Sequence, residues 1–192
     1  MDVQLIERVR KYALGVESSS RYEHSVRTAE TCAMLCRRFG IDSSLGYFVG
    51  IAHDICKEMN PRLLKTFALK DGNPINDLEE KKNSLLHGRA AACMLESDFD
   101  ITDSDILEAV RVHTFGEPGM CDLAKILYVA DKIEPGRNHV TAEHKQMLLE
   151  KSLDDLVLFV LKENIEYLES RGKVVAPVSK KLLHSLEVFS ES

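Results

Sequence analysis

Apolar residues recur every three or four positions along this chain, and this spacing most limits the folds it can form. The segment after Ser18-Ser19-Ser20 is the clearest case, because a serine can cap a helix and Gly40 ends the periodic stretch. Its apolar positions are Tyr22, Val26, Ala29, Ala33, Cys36 and Phe39. The chain has no strand-like alternation of useful length and no internal repeat. The sequence therefore predicts an all-α, single-domain fold.

Further helices are predicted where start and stop signals flank the same apolar spacing. Gly15 ends a first helix, and Asn60-Pro61 begins another with proline at its first position. Small residues after His87-Gly88-Arg89 predict close helix packing. Helix caps are predicted at Ser43 or Ser44, Asn83 or Ser84, Thr102, Asp122, Ser152 and Ser179.

Composition limits the compartment and the partners. A chain of 192 residues with 44% hydrophobic content can form a core without disulfides, and five cysteines without a Cys-x-x-Cys motif indicate reduced, buried thiols. The N-terminus lacks a signal peptide and no apolar run could cross a bilayer, so we expect a cytoplasmic protein without membrane contact. The net charge of -6 argues against nucleic acid as a partner. An anionic ligand must therefore meet local cations or metal ions.

The doublet His53-Asp54 closes an apolar run and sets an imidazole beside a carboxylate. These donors suit divalent first-row transition metals, although an isolated pair is more often a surface dipeptide or a hydrogen-bonded core histidine. Asp131 ends the very apolar stretch 123–130, where burying an ionised carboxylate is costly unless a cation or hydrogen bonds meet it. The candidate set is His24, His53, Asp54, His87, His113 and Asp131, and six ligands suit two ions. His139, His144 and His184 are not assigned as ligands.

Four stretches of sequence carry a specific resemblance. The stretches His53-Asp54-Ile55-Cys56-Lys57-Glu58, Leu86-His87-Gly88, Val112-His113-Thr114 and 127–137 closely resemble the YqeK family of HD-domain bis(5'-nucleosyl)-tetraphosphatases (symmetrical). The resemblance implies an all-helical hydrolase that cleaves diadenosine tetraphosphate symmetrically to two ADP through metal-activated hydroxide. It also implies two divalent transition-metal ions, with iron as the first expectation and manganese or zinc as alternatives.

The resemblance further implies roles for individual residues. His24, His53, Asp54 and Asp131 would hold one ion, and Asp54 would bridge to a second ion held by His87 and His113. Asp54 and Lys57 would be catalytic. The substrate-binding set would be Arg21, His24, Lys57, Thr114, Arg137, Gly172, Lys173, Val174, Val175, Ala176 and Pro177.

The same resemblance gives the expected organisation of residues 1–192. A metal-site core would cover about 20–140, C-terminal helices within 152–192 would complete the nucleotide pocket, and the protein would be a homodimer. Phe115 departs from the family pattern, where a smaller or polar residue is expected.

Two alternative functions remain open from the sequence. The six candidate ligands also fit another HD-type nucleotide phosphohydrolase, such as a nucleoside monophosphatase or a phosphodiesterase. A non-catalytic metal- or nucleotide-binding module is the other alternative. The sequence has no Gly-x-x-x-x-Gly-Lys-Ser/Thr loop, no Gly-x-Gly-x-x-Gly motif and no His-x-His-x-His run, so kinase and dehydrogenase functions lack their motifs.

Overall fold

The computed structural model describes residues 1–137, 148 and 150–190, without the side chains of 189 and 190, and every regular element in them is helical. The predicted all-α fold is confirmed. The helices are α1 Val3–Val16, α2 Ser19–Arg38, α3 Ser43–Ala52, α4 Pro61–Ala68, α5 Asp77–Lys81, α6 His87–Phe99, α7 Ser104–Val112, α8 Asp122–Ile133, α9 Leu153–Ser170 and α10 Pro177–Ser190. Two 3₁₀ turns cover Leu69–Asp71 and Asn83–Leu86.

Helix α8 lies at the centre of the described fold and packs on α2, α3, α7 and α9. Its stretch Ile126–Ala130 is fully buried and includes Tyr128, among the largest of the fully buried side chains. A helix that is apolar nearly all round is typical of a core helix. The central position of α8 brings its C-terminal end, with Asp131, among the surrounding helices.

Two glycines let α3 pack closely on α2. A Cβ atom at Gly50 would lie 2.3 Å from the Cα of Ala29, and one at Gly46 would lie 2.5 Å from the Sγ of Cys36. Real Cβ atoms essentially never approach this closely, so only glycine permits this spacing. The contact brings His24 on α2 close to His53, the residue that follows α3.

A third glycine has the same role between α6 and α7. A Cβ atom at Gly88 would lie 2.9 Å from the carbonyl oxygens of Val110 and Arg111. This close approach brings His87, the first residue of α6, against His113, the residue that follows α7. The small residues after Arg89, for which close packing was predicted, are buried as well: they are Ala90, Ala91 and Ala92.

Several predicted caps are displaced by one to three residues. The N-caps are Asp42 instead of Ser43 or Ser44, Leu86 instead of Asn83 or Ser84, Asp103 instead of Thr102, and Cys121 instead of Asp122. Asp42 and Asp103 are the N-caps because their carboxylates accept hydrogen bonds from main-chain N–H groups two or three residues later in the chain. The N-cap of α6 lies later than predicted because a 3₁₀ turn over Asn83–Leu86 precedes this helix. The predicted caps at Asn60 and Ser152 are confirmed.

The C-terminal helix packs on the loop that follows α7. The predicted cap at Ser179 was wrong: α10 begins two residues earlier, at Pro177, and the Ser179 hydroxyl donates to the Phe115 carbonyl at 2.8 Å. Gly116 has φ +65, and a Cβ atom there would lie 2.5 Å from Leu182 of α10. Among the described residues, no helix is both long and apolar enough to span a bilayer.

Candidate metal centre

The fold brings the six predicted ligand residues into one buried cluster. The side chains of His53, His87, His113 and Asp54 are each at most 3% exposed, and those of His24 and Asp131 are 7% and 16% exposed. Ligand atoms of His24, His53 and Asp131 lie within 4.8 Å of one another, as do those of His53, Asp54 and His113. The ends of α3, α7 and α8 and the start of α6 therefore meet near His24, which lies within α2 and not at its terminus.

Hydrogen bonds fix the orientation of the imidazole rings. The Nδ1 atoms of His53, His87 and His113 each lie 2.7 Å from a main-chain carbonyl oxygen, which can only accept, so each Nδ1 carries the ring proton. In a neutral ring the Nε2 lone pair then points into the cluster. His24 follows the same pattern, because its Nδ1 lies 3.1 Å from the carboxylate of Glu134.

Asp54 divides its two carboxylate oxygens between two pairs of imidazoles. Its Oδ2 lies 3.5 Å from the Nε2 of His53 and 3.9 Å from that of His24. Its Oδ1 lies 3.1 Å from the Nε2 of His87 and 3.8 Å from that of His113. The cluster therefore consists of two donor groups joined by one carboxylate.

Each donor group brings lone pairs close together. The Nε2 atoms of His24 and His53 are 3.3 Å apart, and those of His87 and His113 are 2.9 Å apart. The Oδ1 of Asp131 lies 3.1 Å from the Nε2 of His24. With the ring protons on Nδ1, no hydrogen lies between these atoms, so their contacts are repulsive unless a cation binds between them.

The electrostatics favour the protonation states that metal ligands require. Burial disfavours the charged form of Asp54, but the positive charge around it, Lys57 included, outweighs this effect and holds its pKa well below the usual range. Burial also disfavours the charged form of Asp131, but Lys132 and Arg137 outweigh this effect and hold its pKa well below the usual range. Burial lowers the pKa values of His53 and His113. The carboxylates are therefore ionised and these imidazoles neutral.

One buried atom supports a bound cation directly. The Oδ1 of Asp54 is buried and has no hydrogen-bond partner among the described residues. An unsatisfied buried carboxylate oxygen is costly, and metal coordination would compensate it. Nitrogen and carboxylate donors suit divalent transition metals better than calcium or magnesium. The residues present thus fit a pair of such ions.

Three predicted substrate-binding cations lie at the outer edge of the cluster. Arg21 donates to the Oδ2 of Asp54 at 2.8 Å, Lys57 lies 3.1 Å from the Nε2 of His87, and Arg137 donates to the Oδ1 of Asp131 at 2.6 Å. Their side chains are 31%, 30% and 35% exposed, against 3% for Asp54. The cations therefore lie between solvent and the buried ligands.

The remaining predicted residues are placed less directly. The Oγ1 of Thr114 lies 3.4 Å from the Nε2 of His87, so Thr114 belongs to the cluster. The segment Gly172 to Pro177 leads into α10, whose Ser179 contacts Phe115 two residues after His113. Val174 is 70% exposed, whereas Val175 and Ala176 are buried. His184 is exposed on α10, and His139 and His144 lie outside the described residues.

Sequence reasoning missed three residues of the cluster. Glu134 is 1% exposed and lies against His24, and Arg27 donates to Glu134 at 2.6 Å. Lys132 donates to the carbonyl of His113 at 3.2 Å and lies 3.5 Å from the Oδ2 of Asp131. Lys132 and Glu134 flank Ile133 in the stretch 127–137, but no local signal relates them to His24 or His113.

Comparisons with known proteins relate the whole of this cluster to a described family. Residues 21–136 match the family described as HD domain. The chain is 32% identical over 157 residues to the Bacillus subtilis (strain 168) protein named "Bis(5'-nucleosyl)-tetraphosphatase, symmetrical", covering 82% of this chain and 84% of that protein. It is 30% identical to the protein of the same name from Staphylococcus aureus (strain NCTC 8325 / PS 47), covering 83% of this chain and 87% of that protein.

A solved structure extends the similarity to the whole fold. The crystal structure of a "predicted HD superfamily hydrolase involved in NAD metabolism" from Clostridium acetobutylicum superposes with a TM-score of 0.87 at 25% sequence identity. The superposition covers 97% of each chain. The similarity therefore includes the C-terminal helices that lie beyond the matched residues 21–136.

Proposed function

Because the chain belongs to the HD domain family, and within it to the YqeK family of symmetrical bis(5'-nucleosyl)-tetraphosphatases, we propose that it hydrolyses diadenosine tetraphosphate to two ADP at the cluster around Asp54. The observation that carries the proposal is the division of the two Asp54 oxygens between two imidazole pairs. A carboxylate placed in this way would supply one oxygen to each of two divalent ions.

In this proposal His24, His53, Asp54 and Asp131 hold one ion, and Asp54, His87 and His113 hold the other. Bound divalent ions supply a water of lowered pKa and positive charge for the phosphate oxygens. Iron is the proposed metal, with manganese and zinc as alternatives, since nitrogen and carboxylate donors suit all three. Metal analysis of protein purified without oxygen tests this part.

The surrounding cations give the centre its preference for a polyphosphate. Lys57 lies 3.9 Å from the Oδ1 of Asp54, and Lys132 lies 3.5 Å from the Oδ2 of Asp131. With Arg21 and Arg137 they place four positive groups around two carboxylates, in a chain whose net charge is -6. We propose that Arg21, Lys57 and Arg137 bind substrate phosphates, because their side chains reach solvent.

The leaving group needs little general acid catalysis from the protein. It departs as ADP, whose terminal phosphate oxygen is a weak base, so a strong general acid matters less than charge neutralisation. Lys57 provides such neutralisation beside Asp54, and burial lowers the pKa of its ammonium group. Thr114 adds a hydroxyl on the His87 side.

The nucleotide pocket is proposed to involve Gly172 to Pro177. Its support is the contact of α10 with the loop that follows His113, through Ser179 and Gly116. If the pocket holds a base so that two phosphates span the distance to the ligand cluster, the middle bond of a four-phosphate chain lies at the centre. This geometry would give two ADP, whereas a pocket that spans one or three phosphates would give ATP and AMP.

Product chromatography in heavy-oxygen water tests this proposal. Water attacks one inner phosphorus while the bridging oxygen leaves with the other nucleotide, so the label should enter the terminal phosphate of one ADP per turnover. ATP plus AMP as products, or label in neither ADP, would overturn the proposed position of cleavage. A panel of nucleoside monophosphates and phosphodiesters distinguishes other phosphohydrolase activities.

Absence of turnover on every phosphoanhydride by a metal-loaded protein would instead select a binding module. The expected homodimer remains a prediction that light scattering can test. The expected cytoplasmic location remains a prediction that cell fractionation can test.

A further inference from the structure

The four imidazoles of the centre differ in how their Nδ1 protons are held. Three of them donate to the carbonyl three residues earlier in the chain, and each of these three follows the last residue of a helical segment. The last carbonyls of a helix lack partners within it, so a histidine at this position finds a free acceptor. The pairs are His53 with Gly50, His87 with Ser84, and His113 with Val110.

His24 has no such acceptor. It is the sixth residue of the twenty-residue helix α2, where the preceding carbonyls accept hydrogen bonds from main-chain N–H groups of the helix itself. Its Nδ1 instead lies 3.1 Å from the Oε1 of Glu134, which is 110 positions later in the chain and directly follows α8. The carboxylate of Glu134 therefore accepts the Nδ1 proton of His24, as main-chain carbonyls do for the other three rings.

Glu134 is itself held in place. Its Oε2 accepts from the Nε of Arg27 at 2.6 Å and from the main-chain N–H of Gly136 at 2.5 Å. Arg27 lies one turn after His24 on α2, so the same helix carries the ring and the cation that anchors its partner. A Cβ atom at Gly136 would lie 2.5 Å from the guanidinium of Arg27, so glycine leaves the space that Arg27 occupies.

We propose that Glu134 is a positioning residue for the metal centre: it fixes the proton of His24 on Nδ1 and aims the Nε2 lone pair at the space shared with His53 and Asp131. This inference rests on the proposed function, because it requires that the cluster bind metal. A carboxylate that accepts from a ligating imidazole orients the ring and strengthens it as a donor, and loss of such a partner typically lowers metal affinity about 10–100-fold.

The substitution Glu134→Gln tests the proposal with little change in shape. An amide has one accepting oxygen, so its NH2 group must face either the two donors from Arg27 and Gly136 or the Nδ1 of His24. The first orientation places donor against donor, and the second favours the wrong tautomer of His24. We expect affinity for one of two cobalt(II) ions, measured anaerobically by chelator competition and visible absorption, to fall about 10–100-fold.

A second variant separates charge from contact. Glu134→Asp keeps the negative charge but ends one methylene group short, so it should also lose cobalt affinity at one site. Glu17→Gln is the matched control, because Glu17 is a partly buried carboxyl that accepts from Ser25, the neighbour of His24, and contacts no imidazole among the hydrogen bonds of the described residues. We expect the control to bind two cobalt ions with nearly wild-type affinity.

The outcomes distinguish the inference from the proposed function. If the wild-type protein binds no cobalt, the proposed function fails. If the wild-type protein binds two ions and a folded Glu134 variant binds both equally well, the positioning role is wrong. Circular dichroism of the metal-free variants establishes folding. Nitrogen NMR of the metal-free wild-type protein gives a test that needs no variant, because a proton on the Nε2 of His24 would also refute the proposal.

Discussion

Replacing Gly50 by alanine should destabilise the fold and disturb one half of the metal centre. The new Cβ atom would lie 2.3 Å from the Cα and 2.6 Å from the N of Ala29, and these backbone atoms cannot rotate away. Ordinary contacts begin near 3.4 Å, so α3 must move about 1 Å away from α2. Overpacking of this kind costs about 1–3 kcal/mol.

The same displacement should reduce activity beyond its effect on stability. His53 directly follows α3 and donates to the Gly50 carbonyl, so it moves with α3, whereas His24 remains on α2. A misplacement of about 1 Å can lower a rate about 100-fold. We therefore expect kcat/KM for diadenosine tetraphosphate to fall by about that factor at a temperature where the variant is folded.

Urea unfolding of the metal-free protein and product chromatography measure the two effects. Gly15→Ala is the matched control: Gly15 lies in α1, a Cβ atom there would meet no neighbouring atom of the described residues within 4 Å, and alanine should raise the free energy of unfolding by up to about 1 kcal/mol. A Gly50→Ala protein with unchanged stability and activity would refute the assignment of this glycine to close helix packing.

Three further perturbations probe the site and its surroundings. Asp54→Ala should abolish turnover and lower the metal content measured by elemental analysis. His184→Ala, on the exposed face of α10, should change neither. Full activity of Asp54→Ala would contradict a bridging role. Burial raises the pKa of Glu17 from 4.5 to about 7, so ionisation in the folded state is disfavoured and the free energy of unfolding should fall as pH rises from about 4.5 to 7. Glu17→Gln should remove most of that fall in urea titrations at several pH values, and identical pH profiles of the two proteins would contradict the expectation. Ser179→Ala should cost about 1 kcal/mol of stability and raise KM without changing metal content, whereas an unchanged KM would argue against a pocket beside α10.

The long helices could be predicted because their apolar residues repeat every three or four positions. Helix α2 ends just before Gly40 as predicted, whereas α1 continues past the predicted stop at Gly15 to Val16. Helix α5 was missed, because Asp77–Lys81 has only five residues and one apolar position. Caps were displaced for a related reason. Several polar residues adjoin the starts of α3 and α7, and local geometry decides that Asp42 and Asp103 are the ones whose oxygens reach free N–H groups.

The six candidate ligand residues could be expected to lie together because each carries a metal-binding side chain near a helix end or, like His24, on a helix face away from the main apolar stripe. Their grouping into two sets joined by Asp54 required the packing of α2 on α3 and of α6 on α7. The contact between His24 and Glu134 could not be predicted, since it joins residues 110 positions apart through the docking of α8. Local sequence patterns indicate the candidate metal ligands, and tertiary packing determines which side chains hydrogen-bond to them.

The long separation between His24 and Glu134 also sets the order in which the centre can form during synthesis. A ribosome adds about 5–20 residues per second, so roughly 5–20 s pass between the emergence of these two residues. Throughout that interval α2 lacks the α8 terminus that supplies Asp131 and the partner of His24. The complete donor set exists only after most of the chain has been translated. An ion that required all six side chains would therefore bind only after α8 has docked on α2.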